Sequence, residues 1–314
     1  MGSGSMSAKK VGLLLVIFLI AAPISRARTK EAVNFKYQLE TGMQFGYRLT
    51  VKTTTIQKVL GMAINRDEEW QIRYQITVLS GSNNRGGALL RANYAAIAYH
   101  LDSPFQQYSY RLNPDDTTLP DRLKPFAKLI GTDFKLSLQK APKIMVNTQK
   151  DNPVNPEKFD LQQLLESFSS DTLAAQYMFP KLINNIFWIY PKGAQTYKSN
   201  DSWQGVSSLT NGQFEPNVKT EYRIKDIDDE RILVALATPD GCKYQKVEPV
   251  KDEKTELTKV VTALAGSLAG QVEIAKKSKL PSAGMLHLNL NGTVNRFGTD
   301  TPVTLKMLVK YQRF

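Results

Sequence analysis

The chain has 314 residues, a formal net charge of +12 and one cysteine, Cys242. A single thiol excludes an internal disulfide, and His100 and His287 stand too far apart to form the short-spaced ligand set that zinc uses. The positive balance would attract anions. Yet Arg48, Lys52, Arg73, Lys306 and Lys310 are scattered singly at strand-like intervals, the pattern of solvated outer faces and not of a nucleic-acid-binding block.

Met1 to Ser5 reads as an added leader, with Met6 as the natural start. Lys9 and Lys10 precede the uncharged run Val11 to Ala22, and Ser25 and Ala27 supply the small residues of a cleavage site, so residues 1–27 form a leader plus a secretory signal. The apolar run is shorter than the roughly 20 residues that a helical span needs. Cleavage after Ala27 removes Lys9, Lys10 and Arg26 and takes the charge from +12 to +9. No transmembrane span follows. An exported chain without disulfides fits a bacterial periplasm or cell surface, and Cys242 is expected to be a buried, inert thiol.

Residues 28–314 read as a single domain. Val33 to Leu39 and Phe45 to Ile56 are predicted strands joined at Thr41-Gly42. Trp70, Ile72, Tyr74, Ile76 and Val78 alternate with Gln71, Arg73, Gln75 and Thr77, which is a half-buried antiparallel strand. Ala88 to Leu101 is the next strand, and Tyr108 and Tyr110 mark a short one. Asn113 to Asp116 is a turn, Leu119 to Leu129 a short helix opened by Pro120, and Phe134 to Leu138 a strand paired with Lys143 to Asn147.

Asn155 to Tyr190 reads differently. Asn155-Pro156-Glu157 has the form of a helix entry, Leu161, Leu164, Leu165 and Phe168 follow at helical spacing, and Pro180 restarts the pattern through Ile186, Phe187 and Tyr190. Strands resume at Trp203 to Leu209, Lys219 to Lys225, Arg231 to Ala237 and Tyr244 to Val247, with Asp226 to Glu230 as a hairpin tip. Lys251 to Leu268 carries Leu257, Val260, Val261 and Leu264 and is read as a short helix in preference to a strand. Gly270 to Ala275, Met285 to Val294 and Val303 to Tyr311 complete the strands. The expected fold is mainly β with a central helical insert (α+β): a large curved antiparallel sheet or half-barrel covered by the helices of 155–190.

The residues offer little chemistry. No Gly-x-Ser-x-Gly elbow occurs, and Ser137 to Lys140 matches Ser-x-x-Lys by letters but sits on a strand. The acids of 226–230 lack the calcium-loop pattern, and Gly81 to Gly87 lacks the Gly-Lys-Ser/Thr of a phosphate cradle. No cofactor is expected. What stands out is apolar surface: Phe168, Met178, Phe179, Ile186, Phe187 and Tyr190 are the candidate residues for holding an apolar ligand, against the plainer reading that they fill the core.

Phe35 to Leu39 with Gly42 and Tyr47 to Val51, then Tyr190-Pro-Lys192 with Asn200-Asp-Ser-Trp203, and then Ala275 to Pro281 with Leu286 resemble, in that order, an uncharacterised family of exported bacterial proteins known as a domain of unknown function. That family has glycine where Asn200 stands and Thr-Gly where Ser278-Lys279 stands, and each matching piece is a turn signal without a catalytic role. The order of features is also similar, at the level of fold, to the half-barrel of periplasmic lipoprotein carriers. The leading expectation, from the apolar block over a curved sheet, is a non-enzymatic envelope protein that holds an apolar ligand or lipidated partner between sheet and helices. The alternatives are an assembly subunit that contacts another envelope protein, and a hydrolase of envelope polymers.

Overall fold

A computed structural model of the chain describes residues 31–59, 61–82, 87–138, 143–145, 186–187, 189–191, 196–205, 219–250, 258–296 and 299–314. The leader and the expected signal lie outside this set, as does most of 155–190. Thirteen antiparallel strands form one sheet: β1 Gln44–Val59, β2 Met62–Ser80, β3 Ala88–Ser103, β4 Gln106–Arg111, β5 Asp133–Leu138, β6 Lys143–Met145, β7 Ser202–Gly205, β8 Thr220–Ile227, β9 Arg231–Ala237, β10 Cys242–Val250, β11 Thr258–Ala275, β12 Pro281–Arg296 and β13 Thr299–Arg313. Their order is β6-β5-β3-β2-β1-β13-β12-β11-β9-β8-β7. Strands from both flanks of 155–190 therefore share one sheet, with β1 pairing directly with β13.

The expected α+β class is corrected by this architecture. Among the described residues there is one short helix, α1 Lys124–Ala127, and no central helical insert. Of 155–190 only 186–187 and 189–190 are described, a single helical turn at Ile186 and Phe187. The α1 turn lies within the predicted Leu119 to Leu129 segment and sets Phe126 on the inner face, its ring 4.4 Å from that of Trp70.

The predicted helix at Lys251 to Leu268 is also overturned where it is described, because Thr258 onward belongs to β11. Leu264, Gly266, Leu268, Gly270 and Val272 occupy one face at a two-residue period. Glycine fills every other inward position, so the apolar residues fall four apart and imitate helical spacing. The glycines have a steric cause. A Cβ at Gly266 would fall 1.7 Å from the Asn289 carbonyl oxygen, and one at Gly292 of β12 would fall 1.9 Å from that of Ala263. Missing side chains let the β11–β12 hairpin coil closely on itself. The sheet curls accordingly: Tyr222 of β8 is near enough to act on the Tyr311 hydroxyl of β13, although four strand spacings of a flat sheet would hold them roughly 19 Å apart.

Val33 to Leu39 is extended but does not form the predicted ladder strand. It pairs once, Val33 with Tyr197. It then runs across the strand ends, with Gln38 N donating to Ser278 O and Ser82 N donating to Leu39 O. Two long strands have their outer edges divided between shorter partners. On β3, β5 takes the first half and β4 the second; on β11, β10 takes the first half and β9 the second.

Candidate functional site

The parity of each strand separates two faces. Outward positions carry Arg48, Lys52, Arg73, Lys306 and Lys310, all exposed, which is not a surface that lipid chains would cover. Among the described residues no helix is long and apolar enough to cross a membrane. The outer face holds an open groove of about 660 Å³ lined by Gln44, Gln75, Thr77, Arg91, Asn93 and Asp133 beside Phe314. Three of its polar groups engage one another, Asn93 Nδ2 donating to Asp133 Oδ1 at 2.9 Å and Arg91 Nε lying 3.8 Å from Asp133 Oδ2.

The inner face is graded from end to end. At the end where β1 begins, rings interlock. Tyr37 lies 4.6 Å from Tyr190 and 6.4 Å from Phe187, Tyr47 lies 5.9 Å from Phe187, and Phe35 joins Tyr190 to Trp203. Tyr47 Oη donates to Pro281 O at 2.7 Å, Tyr190 Oη to Lys279 O at 2.5 Å and Tyr37 Oη to Phe187 O at 3.4 Å. Lys279 has φ +57°, so its turn presents a carbonyl to Tyr190 from a left-handed conformation. Burial holds the hydroxyls of Tyr37, Tyr47, Tyr190 and Tyr311 above the ordinary phenol range, which keeps them neutral.

Of the residues singled out by sequence, Ile186 and Phe187 are fully buried and Tyr190 is half-buried in this ring cluster. Phe187 and Tyr190 are brought together through Tyr37. Phe168, Met178 and Phe179 lie outside the described residues.

The middle of the face is a row of cross-strand neighbours, Tyr99–Trp70–Val51–Val309–Leu286, all buried. The Trp70 ring lies 4.3 Å from that of Tyr99 and 4.4 Å from that of Phe126, tilted against both. One row further along, chemistry changes across the sheet: Leu101–Glu68–Thr53–Met307–Leu288–Leu268.

Glu68 is 4% exposed and pairs with Arg66, whose Nε is 3.1 Å from Oε1, while Tyr99 Oη donates to Oε1 at 2.8 Å. Burial raises the Glu68 carboxyl above its ordinary range, opposed by Arg66. The Arg122 guanidinium lies over the Tyr108 ring at 4.8 Å and the Tyr99 ring at 5.9 Å. Thr53 Oγ1 and Tyr108 Oη are buried without a hydrogen-bond partner. Sequence reasoning missed this corner, although Arg66 and Glu68 continue the inward parity of Trp70, Ile72 and Tyr74.

Elsewhere, burial pushes the Cys242 thiol up to about 11, which makes it a poor nucleophile. Asp228 of the acidic tip accepts from the backbone of Glu230 and Arg231 and pairs with the Arg231 side chain, as a hairpin turn requires. No group of three or more metal-ligating side chains occurs among the described residues.

No family model matches the chain, and no curated protein matches its sequence. The chain is similar in backbone path to a structure reporting lipid–protein interactions in lipovitellin, with a TM-score of 0.48 and 10% identity. That match covers 88% of this chain, which spans about a quarter (25%) of the lipovitellin chain. Fainter similarities are to OccK7 (OpdD) of Pseudomonas aeruginosa, with a TM-score of 0.19 at 8% identity over 88% of this chain and 99% of that one. A protein of the DUF1329 family from Desulfovibrio piger has a TM-score of 0.13 at 9% identity over 85% of each chain.

Proposed function

We propose that this is a non-enzymatic protein of the bacterial cell envelope, exported by its N-terminal signal, that holds an apolar ligand or lipidated partner against the inner face of its curled sheet. The observation that carries this reading is the apolar row from Tyr99 to Leu286, unbroken over five strands. The row crosses four strand spacings, roughly 19 Å, a length on the scale of an extended acyl chain. Ile186, Phe187 and Tyr190 act at the ring-lined end of this face.

Protein purified after export from a bacterial host is extracted with organic solvent and the extract analysed by mass spectrometry, in parallel with titration of the protein with N-phenyl-1-naphthylamine. Co-purified lipid and saturable probe binding are expected. A clean extract together with no probe binding would overturn the reading.

A second reading, an assembly subunit, draws on Met62 and Phe105, which are 67% and 79% exposed at the β1–β2 and β3–β4 tips. It requires that crosslinking in cells capture a stable envelope partner, with capture lost in Phe105→Ser.

A further inference from the structure

We infer that the ligand of the inner face is an anionic amphiphile, with its carboxylate or phosphate head held by Arg122 at the corner formed by β1, β2 and β3, and its chain laid along the aliphatic wall of β13 and β12. This rests on the apolar-ligand reading and adds the chemistry of the head.

Three observations converge. The boundary between polar and apolar surface follows β1. On one side of Thr53 and Thr55 stand Glu68 and Arg66; on the other stand Met307 and Leu305, backed by Leu288 and Leu290. An amphiphile lying across that boundary meets its own kind on each side.

The charges at the corner are also uneven. Arg66 is engaged with Glu68, so that pair is close to neutral. Arg122 has no ion pair among the described residues, although its charge acts on Glu68 at longer range. Its guanidinium lies over the Tyr108 and Tyr99 rings, and a guanidinium offers a fork of N–H donors that fits two oxygens of a carboxylate or phosphate. Third, Thr53, 3% exposed, and Tyr108 each bury a hydroxyl without a partner. Buried hydroxyls are normally satisfied. Tyr108 carries Arg122 on its ring, and Thr53 lies in the same row three strand spacings away, with Glu68 and Leu101 between them. The guanidinium and the Tyr108 O–H beside it match the acceptor lone pairs of an oxyanion, and Thr53 marks the polar boundary on the way to β13.

The full chain is titrated with oleate, 1-oleoyl-lysophosphatidate and methyl oleate, which share a chain and differ in the head, using displacement of N-phenyl-1-naphthylamine. Wild-type protein is expected to bind at least one of the two acids about 10-fold more tightly than the ester, and the preferred acid identifies carboxylate or phosphate as the head. Arg122→Gln is expected to lose that preference while binding methyl oleate as wild type does. Tyr108→Phe, which keeps the ring and removes only the hydroxyl, is expected to weaken the preferred acid about 3-fold.

Equal binding of acid and ester by wild type, or an equal loss for both in Arg122→Gln, would overturn the inference and leave the apolar-ligand reading standing. Failure of all three compounds to bind would remove both.

Discussion

The two ends of the inner face use the same residue types in opposite ways. Where β1 begins, the hydroxyls of Tyr37, Tyr47 and Tyr190 each donate to a backbone carbonyl far away in sequence, with Tyr311 the exception, and their rings lock together. At the far corner, among the described residues, Thr53 and Tyr108 keep unpaired hydroxyls and Arg122 makes no ion pair. The ring end commits three of its tyrosine hydroxyls to the fold, while Tyr311 Oη and Trp203 Nε1 stay buried without a partner among the described residues. An end that leaves donors idle under burial forgoes stability, a pattern characteristic of sites that receive something.

The largest test strikes the layer that joins the ends. Trp70→Ala removes a ring packed against those of Tyr99 and Phe126 and should cost about 4 kcal/mol in urea denaturation, a large share of a domain's total stability. A loss below about 1 kcal/mol would mean that the ends are not coupled through that layer.

Gly266→Val follows, at about 3 kcal/mol, because the new Cβ meets the Asn289 carbonyl, which cannot swing aside as a side chain can. Retention of the wild-type denaturation midpoint would refute the close coiling of β11 on β12.

A pair of smaller changes bears directly on the contrast. Tyr47→Phe strands the buried Pro281 carbonyl and should cost about 1–2 kcal/mol, whereas Tyr108→Phe removes a hydroxyl that bonds nothing and should leave stability within about 0.5 kcal/mol. Equal losses in the two variants would erase the distinction between the ends.

The smallest expected effect is a pH slope. Burial raises the folded pKa of Glu68 above its unfolded value. The folded protein then binds that proton more tightly, so the contribution is fully present below the ordinary carboxylate range and is lost as pH rises through the folded pKa. Glu68→Gln should flatten this descent in denaturation midpoints measured from acid to neutral pH. An unchanged slope would place the titrating group elsewhere.

Much of the sheet was legible in the sequence because period-two alternation is a local signal. Trp70 to Val78 reads as a strand without help, and β13 shows its inward Val303, Leu305, Met307, Val309 and Tyr311 just as openly. β11 was legible only at its end, Gly270 to Ala275; in its first part glycine carries no hydrophobic signal, and its inward position is decided by the approach of Asn289 from another strand.

The ring cluster was half legible. Phe187 and Tyr190 stood out as apolar surface, but their fixation depends on Tyr37, about 150 residues away. The charged corner could have been found by extending the parity of Trp70 backward, since Glu68 and Arg66 then point inward. A run of charge beside a hairpin tip invites the opposite assumption of solvent.

Strands of 15 to 19 residues are templates on which copies of the same chain could stack into fibres. Here the longest ones lie inside the ladder, while the strands with unpaired sides among the described residues are short or marked: β6 has three residues, β7 four and β4 six. β10, at nine, carries Lys243, Lys246 and Pro249. The molecule thus keeps a span long enough to accommodate a fatty tail while offering neighbouring copies almost no border on which to grow.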